Sequence, residues 1–546
     1  MTVALNPLAA LPGDNTPWYK KSHLLKLNYM VLSLVLFCEL TIRPNIRPFP
    51  PQSPTTLPNP PNHSQLFLTI VLLAASANGY DGSIMGGALA LPIWNKFMNE
   101  PAGVTLGWIT AIYWLGNGVA FPLAAWVSNR YGRRPGIYVG YLFLILGVGM
   151  QGAAQNEKTF TVSRLFLGIA SAWLGNGPPL LINEIAHPSH RSIANALFMC
   201  GWYVGGTLCG WVTFGCRNIP SSWCWRVPVV LQIALPLIAL PGFLMCPESP
   251  RWLISVGRNE EAREILAKYH AGGDHEDPLV VYQMREIETT ITAEKEATAS
   301  ASYLDMVKTP GNRHRLFISV SLGIFGQWAG NGVVSYYLPL VLDSVGVKSV
   351  TDQTLISACL NVWNLIWAVA AAFSVDKLGR RMLFLASAII MLISFVIVTG
   401  LSATFAKTAS SSVGLAVIPF LFTFFMGYDI ALTPMMTAYP CEIWQFSLRS
   451  RGITVTWVST VAAIFFNTFV NSIALDAIHW KYYIVFIVVL AVMLVTVYFT
   501  YPETRGYTLE QIAVVFDGED SAAAVVAHEK MEEIGAEHDG ETAHKV

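Results

Sequence analysis

Apolar stretches separated by short polar connections run along the chain, and from Leu66 onward twelve of them reach the roughly 20 residues that an α-helix needs to cross a bilayer. They lie near 66–91, 106–128, 135–154, 160–182, 193–215, 227–246, 316–342, 354–375, 382–404, 413–439, 451–473 and 481–500. The pattern predicts an all-α membrane protein of twelve transmembrane helices. One stretch interrupts it: Pro247-Glu-Ser-Pro-Arg-Trp-Leu253 and the charged residues that follow to Arg315 form the only extended polar segment between apolar runs. The expected domains are therefore a bundle over 66–250, a central water-exposed segment over 251–315 and a second bundle over 316–502. Glu260–Tyr269, closed by Gly272 and Gly273, and Val281–Ala297 predict short helices that brace the inner gate. The tail over 503–546 is polar and mildly acidic, and beyond Gln511 it is expected to be mobile.

Residues 1–65 do not fit the rhythm. Leu27–Ile42 is short for a span, and the prolines of Arg43–Pro61 forbid helix. Lys20, Lys21 and Lys26 lie too far in for a signal peptide, and no small-residue cleavage site follows. Joining Asn28 to Leu66 gives a smooth approach to the first span, so Tyr29–Gln65 is read as an insert or retained intron.

Composition narrows the class. Of 546 residues, 53% are hydrophobic and 13% charged, and the mean hydropathy of +0.47 leaves too little charge to cover a soluble globule. A net charge of -1 excludes a nucleic-acid binder on bulk electrostatics, and the eight cysteines show no zinc or redox spacing. Cys38, Cys200, Cys209, Cys246 and Cys359 read as small packing residues. Cys216 and Cys224 share one short loop and read as unpaired thiols, a disulfide being the alternative. With a cytoplasmic amino terminus, the inner segments hold 26 of the 34 Lys and Arg, the outer loops hold seven, and Arg164 lies within a helix. That bias puts both termini in the cytoplasm.

The two halves repeat. Asn129-Arg-Tyr-Gly-Arg-Arg134 recurs as Asp376-Lys-Leu-Gly-Arg-Arg381, Glu184 and Arg191 recur as Glu442 and Arg449, and Pro247-Glu248 recurs as Pro502-Glu503. The offsets of 247, 258 and 255 residues indicate one six-helix unit duplicated in parallel. These paired turns, with Pro-Glu-Ser-Pro-Arg-Trp-Leu and Pro502-Glu-Thr-Arg-Gly-Tyr-Thr-Leu-Glu510, resemble the sugar porter family of the major facilitator superfamily. Gly79-Tyr-Asp-Gly-Ser83 and Gln327-Trp-Ala-Gly-Asn-Gly-Val-Val-Ser-Tyr-Tyr337 most resemble its fungal lactose permease and cellodextrin transporter branch. The resemblance implies a sugar carrier working by alternating access, in a plasma membrane and as a monomer. It implies no cofactor beyond protons as the coupling ion.

Asp81 is the only charge between Leu66 and Leu91, and a carboxylate there is costly unless paired or protonated. It is a structural ion pair or a proton site; the resemblance implies the latter, with Arg164 as its partner. Asp429, a second intramembrane acid, lines the outer vestibule or adds a proton site. A neutral polyol needs uncharged donors and acceptors with flat apolar faces, which carboxamides and aromatics supply. Gln327, Trp328, Asn331, Tyr336 and Tyr337 on the seventh span, with Asn361 and Asn364 at i, i+3 on the eighth, are the candidate site. The resemblance assigns sugar contacts to Gln327 and Asn364. It also marks departures: Gly326 and Gly332 stand where the family has Gln and Asn, Met199 where it has Gln, and Thr437 where it has Trp. These losses predict room for a β-linked disaccharide of the lactose or cellobiose type rather than a hexose alone, with Asn467 and Asn471 reaching the second ring. Arg133, Arg134, Glu184 and Arg191, with Arg380, Arg381, Glu442 and Arg449, predict opposed clusters that lock the inner ends together. Glu248 and Arg251 join them by resemblance, and Asn129 weakens the first-half contact relative to Asp376. A passive facilitator and a non-transporting sugar sensor are the rival readings. No nucleophile, base and orienter set points to an enzyme.

Overall fold

The computed structural model describes residues 63–185, 191–271, 273–300, 302–445, 447–506 and 509–517. The candidate insert lies outside these residues except for its last three, and so does the tail beyond Asp517.

Twelve apolar segments become helices, several of them broken. The first half holds α1 (His63–Leu89), the short α2 (Pro92–Phe97), α3 (Gly103–Tyr131), α4 (Arg133–Gly152), α5 (Glu157–Ile185), α6 (Arg191–Cys216), and α7 (Trp223–Leu231) with α8 (Ala234–Met245) as one interrupted segment. The central segment forms α9 (Pro250–Ser255), α10 (Asn259–His270), α11 (Pro278–Ser300) and α12 (Asp305–Lys308). The second half follows with α13 (Pro310–Trp328), α14 (Asn331–Ser344), α15 (Val350–Leu378), α16 (Arg380–Thr408) and α17 (Ser411–Leu415). It ends with α18 (Val417–Asp429), α19 (Leu432–Ile443), α20 (Arg449–Ile478), α21 (Tyr483–Thr500) and the short α22 (Leu509–Asp517). Among the described residues, eight helical runs are long and apolar enough to cross a membrane by length and composition, one of them running over two successive segments from Arg449 to Thr500.

Packing follows from where small residues sit. A Cβ on Gly205 of α6 would lie 1.9 Å from the Ser76 carbonyl oxygen of α1, and one on Gly168 of α5 would lie 1.9 Å from that of Tyr113 of α3. Backbones touch at both places, as close helix packing in lipid requires. Across the halves, Gly107 of α3 faces the Phe469 backbone of α20, Gly210 of α6 faces Ala358 of α15, and Gly86 of α1 faces the Ser335 carbonyl of α14. Apolar side chains on the outer faces, such as Val119 at 72% exposure and Phe499 at 76%, have no protein to cover them and meet lipid acyl chains instead.

The polar ends have their own logic. Ser249 caps α9 by accepting from Trp252 N, and Leu253, Ile254, Leu266 and Met284 give the central helices a small core. A His270 ring nitrogen lies 2.9 Å from the Ile185 carbonyl oxygen, tying α10 to the end of α5. The tail departs from expectation up to Asp517, because α22 docks on the second half: Asp517 takes both Nη atoms of the buried Arg315, at 2.9 and 2.8 Å. Free mobility beyond Gln511 thus does not hold for these residues. Cys216 and Cys224 are free thiols.

Candidate functional site

Asp81 and Arg164 are both buried, at 2% and 1% exposure, and the fold brings them together. Their contact is not the expected ion pair. Arg164 Nη1 donates to the Asp81 main-chain oxygen at 3.3 Å, and its guanidinium lies 4.8 Å from the centre of the Tyr113 ring. Asp81 Oδ1 and Arg164 Nε have no hydrogen-bond partner. A cation and a carboxylate are thus held side by side with donor and acceptor capacity unspent, where each such group is costly.

The carboxamide cluster forms where α13 breaks into α14. Gly330 at φ 109° makes that break, a left-handed conformation that suits glycine. Asn467 Nδ2 donates to the Gln327 main-chain oxygen at 2.6 Å, and Gly332 leaves room for both Asn467 and Asn471, whose Nδ2 atoms lie 2.4 and 3.3 Å from where a Cβ would stand. Asn331 Nδ2 donates to the Tyr428 hydroxyl at 3.1 Å, and that hydroxyl donates to the Gly326 carbonyl at 2.9 Å. Asn331 Oδ1, Asn364 Oδ1 and Asn471 Nδ2 are buried without partners, the kind of vacancy a polar ligand can fill. Gln327, Asn331, Asn467 and Asn471 therefore share one cluster, with Asn364 buried on α15.

Other predicted members are spent elsewhere. Trp328 Nε1 donates to the Ala463 carbonyl at 3.1 Å, and the Tyr337 hydroxyl donates to that of Thr468 at 2.6 Å, so both fasten the seventh span to α20. Asn361 Nδ2 returns to the Ser357 carbonyl of its own helix at 3.0 Å. Tyr336 is buried in α14. The expected extra room is also reduced. The Met436 methyl lies 1.8 Å from where a Cβ of Gly326 would be, so a flexible thioether side chain fills that space, and Asn467 fills the space over Gly332.

Asp429 makes a contact the sequence did not foretell: the Tyr203 hydroxyl of α6, from the other half, donates to its Oδ1 at 2.5 Å.

The paired Gly-Arg-Arg turns turn out to be helix caps. Gly132 and Gly379 have φ 100° and 92°, and a Cβ there would meet the carboxylates of Glu248 and Glu503 at 2.5 and 2.8 Å. Each carboxylate accepts from the two following backbone amides: Arg133 N and Arg134 N at 2.9 and 3.2 Å, Arg380 N and Arg381 N at 2.9 and 3.0 Å. An anion at a helix amino terminus meets free N–H groups and the positive end of the helix dipole. The repeated Pro-Glu pairs were the available signal. Arg133 then holds Glu184 through two bonds of 2.7 and 2.6 Å, and Arg380 holds Glu442 at 3.2 and 3.0 Å. These described contacts join residues of the same half, so the clusters staple each bundle rather than bridging the two in this structure. The side-chain nitrogens of Arg134 and Arg381 reach the Leu244 and Tyr498 carbonyls, again within their own halves. Arg251 lies in the first turn of α9 and Arg449 opens α20. The side chains of Arg191 and Asp376 lie outside the described residues.

Known proteins share this architecture. The MFS-type transporter oryC of Aspergillus oryzae is 30% identical over 80% of this chain and 82% of its own length. A high-affinity glucose transporter of Kluyveromyces lactis is 26% identical, covering 80% and 81%. Among solved structures, the proton:xylose symporter XylE bound to 6-bromo-6-deoxy-D-glucose superposes with a TM-score of 0.66 at 23% identity, over 83% of this chain and 99% of that one. The inward-open xylose transporter XylE from E. coli gives 0.67 at 21% identity, over 82% and 99%, and these likenesses establish the fold. The family description "Sugar (and other) transporter" matches residues 67–516, across both halves, and the chain belongs to that family, as a sugar transporter of the major facilitator fold and not an enzyme.

Proposed function

We propose that this carrier moves a neutral sugar inward by alternating access and couples it to protons through Asp81, with Arg164 as the partner that senses the charge. It works as a monomer in the plasma membrane with both termini in the cytoplasm. The observation that carries the coupling is the unpartnered Asp81 Oδ1 held beside the buried Arg164 guanidinium. Protonation and deprotonation there change how strongly the first span holds the fifth helix of the chain, α5, and so bias which side is open. XylE, a proton:xylose symporter with the same fold, supports the same reading.

The unfilled polar atoms of Asn331, Asn364 and Asn471, together with the main-chain and side-chain groups of Gln327, support a polyol as cargo. Because Met436 and Asn467 fill the space over the two glycines, a hexose-sized sugar is the cargo we carry forward rather than the disaccharide of the lactose permease branch.

The test is uptake of labelled glucose, xylose, cellobiose and lactose into vesicles holding the purified protein, with and without an imposed pH difference. A hexose should accumulate only with the gradient, and Asp81→Asn should keep sugar exchange but lose accumulation. Accumulation by Asp81→Asn equal to the parent's removes Asp81 from the coupling. Accumulation of cellobiose or lactose alone restores the larger cargo.

A further inference from the structure

The tenth transmembrane segment is not continuous. α18 ends at Asp429, Ala431 departs from helical geometry at φ -130° and ψ -58°, and α19 begins at Leu432. A broken ladder of this kind is where two half-helices can swing relative to one another. Asp429 stands at the break with no exposed surface. Its Oδ1 accepts from the Tyr203 hydroxyl of α6 at 2.5 Å and from Thr433 Oγ1 at 3.0 Å, and the two hydroxyls lie 2.9 Å apart. Its Oδ2 has no partner. Among the described residues the groups facing this carboxylate are Tyr203 and Cys200 from α6 and Tyr428 and Thr433 from its own segment, with no Arg, Lys or His. Hydroxyl donors hold it, and one of them belongs to the opposite half.

The neighbouring residue connects this cluster to the carboxamides. Tyr428 precedes Asp429, and its hydroxyl joins Asn331 and the Gly326 carbonyl. The same break in the chain therefore touches the candidate sugar cluster with one residue and the opposite bundle with the next.

We propose that Tyr203 is a positioning residue: its hydrogen bond to Asp429 clamps the break of the tenth segment against the first half, and the carrier must release this clamp to change the side on which it opens. The transport role of the clamp rests on the function proposed above. Sugar contact and proton coupling stay with the carboxamides and Asp81, and Tyr203 acts through the placement of Asp429 and Tyr428.

Cys200, one turn before Tyr203 on α6 and 7% exposed, reports the clamp. In the full-length protein in vesicles, its rate of modification by N-ethylmaleimide, read by peptide mass spectrometry, should rise about three- to tenfold in Tyr203→Phe, the scale of one lost hydrogen bond. Cys209, 1% exposed on the same helix, serves as the internal control and should keep its rate. Thr433→Val, which removes the second donor, should move Cys200 in the same direction by less and keeps the test open if Tyr203→Phe fails to fold. Unchanged Cys200 labelling in a folded variant overturns the clamp. A raised sugar KM in Tyr203→Phe with unchanged labelling overturns it too, because Tyr203 is then a sugar contact. A parent protein that moves no sugar yet shows the labelling change removes the transport reading and leaves the clamp in place.

Discussion

Asp517→Ala should destabilise the second half, far from any sugar. The guanidinium of Arg315 is completely buried, and Asp517, at 14% side-chain exposure, is the acid it pairs with. The two bonds of 2.9 and 2.8 Å are joined by Arg315 Nη1 to Asn312 Oδ1 at 3.0 Å and Arg315 Nε to the Ile443 carbonyl at 2.9 Å. Gln445 Nε2 also donates to Asp517 at 2.7 Å, so α22 joins the start of α13 to the end of α19. Removing one partner of a buried pair costs about 3–5 kcal/mol, since the other charge stays behind. Here two neutral acceptors remain on Arg315 and water can enter where Asp517 stood, so we expect about 2–4 kcal/mol. Asp517→Asn, which keeps the shape and one bond, should cost about 1–2 kcal/mol. The double variant Arg315→Met with Asp517→Leu should recover most of the loss, because no charge is left buried. The assay is thermal unfolding of detergent-purified protein, with melting temperatures ordered parent, Asp517→Asn, Asp517→Ala. Equal melting of Asp517→Ala and parent refutes the strap, and a double variant as weak as the sum of its singles refutes the buried-charge argument.

Glu503 carries a pH dependence at the same end. Burial alone pushes its carboxyl up, but the backbone amides of Arg505, Arg380, Arg381 and Thr504 together outweigh that and hold it below the ordinary glutamate value. A carboxyl depressed in the folded state stabilises fully above its unfolded value, near about 4.3, and loses that contribution as pH falls through the folded value. The parent's melting temperature should therefore drop more steeply below that pH than that of Glu503→Gln, and parallel curves would remove the cap from the account. Gly205→Val should leave no monodisperse protein on size exclusion, since its Cβ would stand 1.9 Å from the Ser76 carbonyl oxygen, whereas Gly149→Ala, with open space around it, should run as the parent does. A well-folded Gly205→Val would show that α1 and α6 pack less closely than this.

What could be read along the chain was whatever a single period or a repeat encodes. Twelve apolar stretches announce helices because lipid allows little else, and the recurrence of Gly-Arg-Arg and Pro-Glu announces a duplicated unit. What could not be read is which oxygen meets which nitrogen. Arg164 and Asp81 sit together as anticipated, yet the bond goes to a main-chain carbonyl, a choice set by helix rotation. Trp328 and Tyr337 look like site aromatics by composition, but the sequence does not show that their polar tips also fasten to α20, where a buried donor finds a carbonyl nearest. Gly326 looked like space and is filled by Met436, a residue 110 positions away on another helix. The tie from Asp429 to Tyr203 depends on two halves facing each other, and no local pattern contains that.

The charged motifs carry a consequence for where the barrier to alternation lies. If Glu184 and Glu442 were shared between halves, separating the motif ends would leave carboxylates and guanidiniums unpaired in a partly dry setting, at several kcal/mol. Instead Glu184 and Glu442 are taken by an arginine of their own half, and Glu248 and Glu503 by backbone amides of theirs. Each of these described bonds lies within one bundle, so rocking the bundles as rigid bodies need not break them. In the mechanism proposed above, what changes lies in contacts between the halves, among them the approach of Gly86 to Ser335 between α1 and α14 and the Tyr203 bond to Asp429. Both are contacts between the halves; the first lies close in sequence to Asp81 and Asn331, and the second is one residue from Tyr428, whose hydroxyl accepts from Asn331. A cargo or proton bound there can shift the balance of states because it acts on the bonds that alternate, whereas the same energy spent at the stapled ends would move the bundles as rigid bodies without favouring either state.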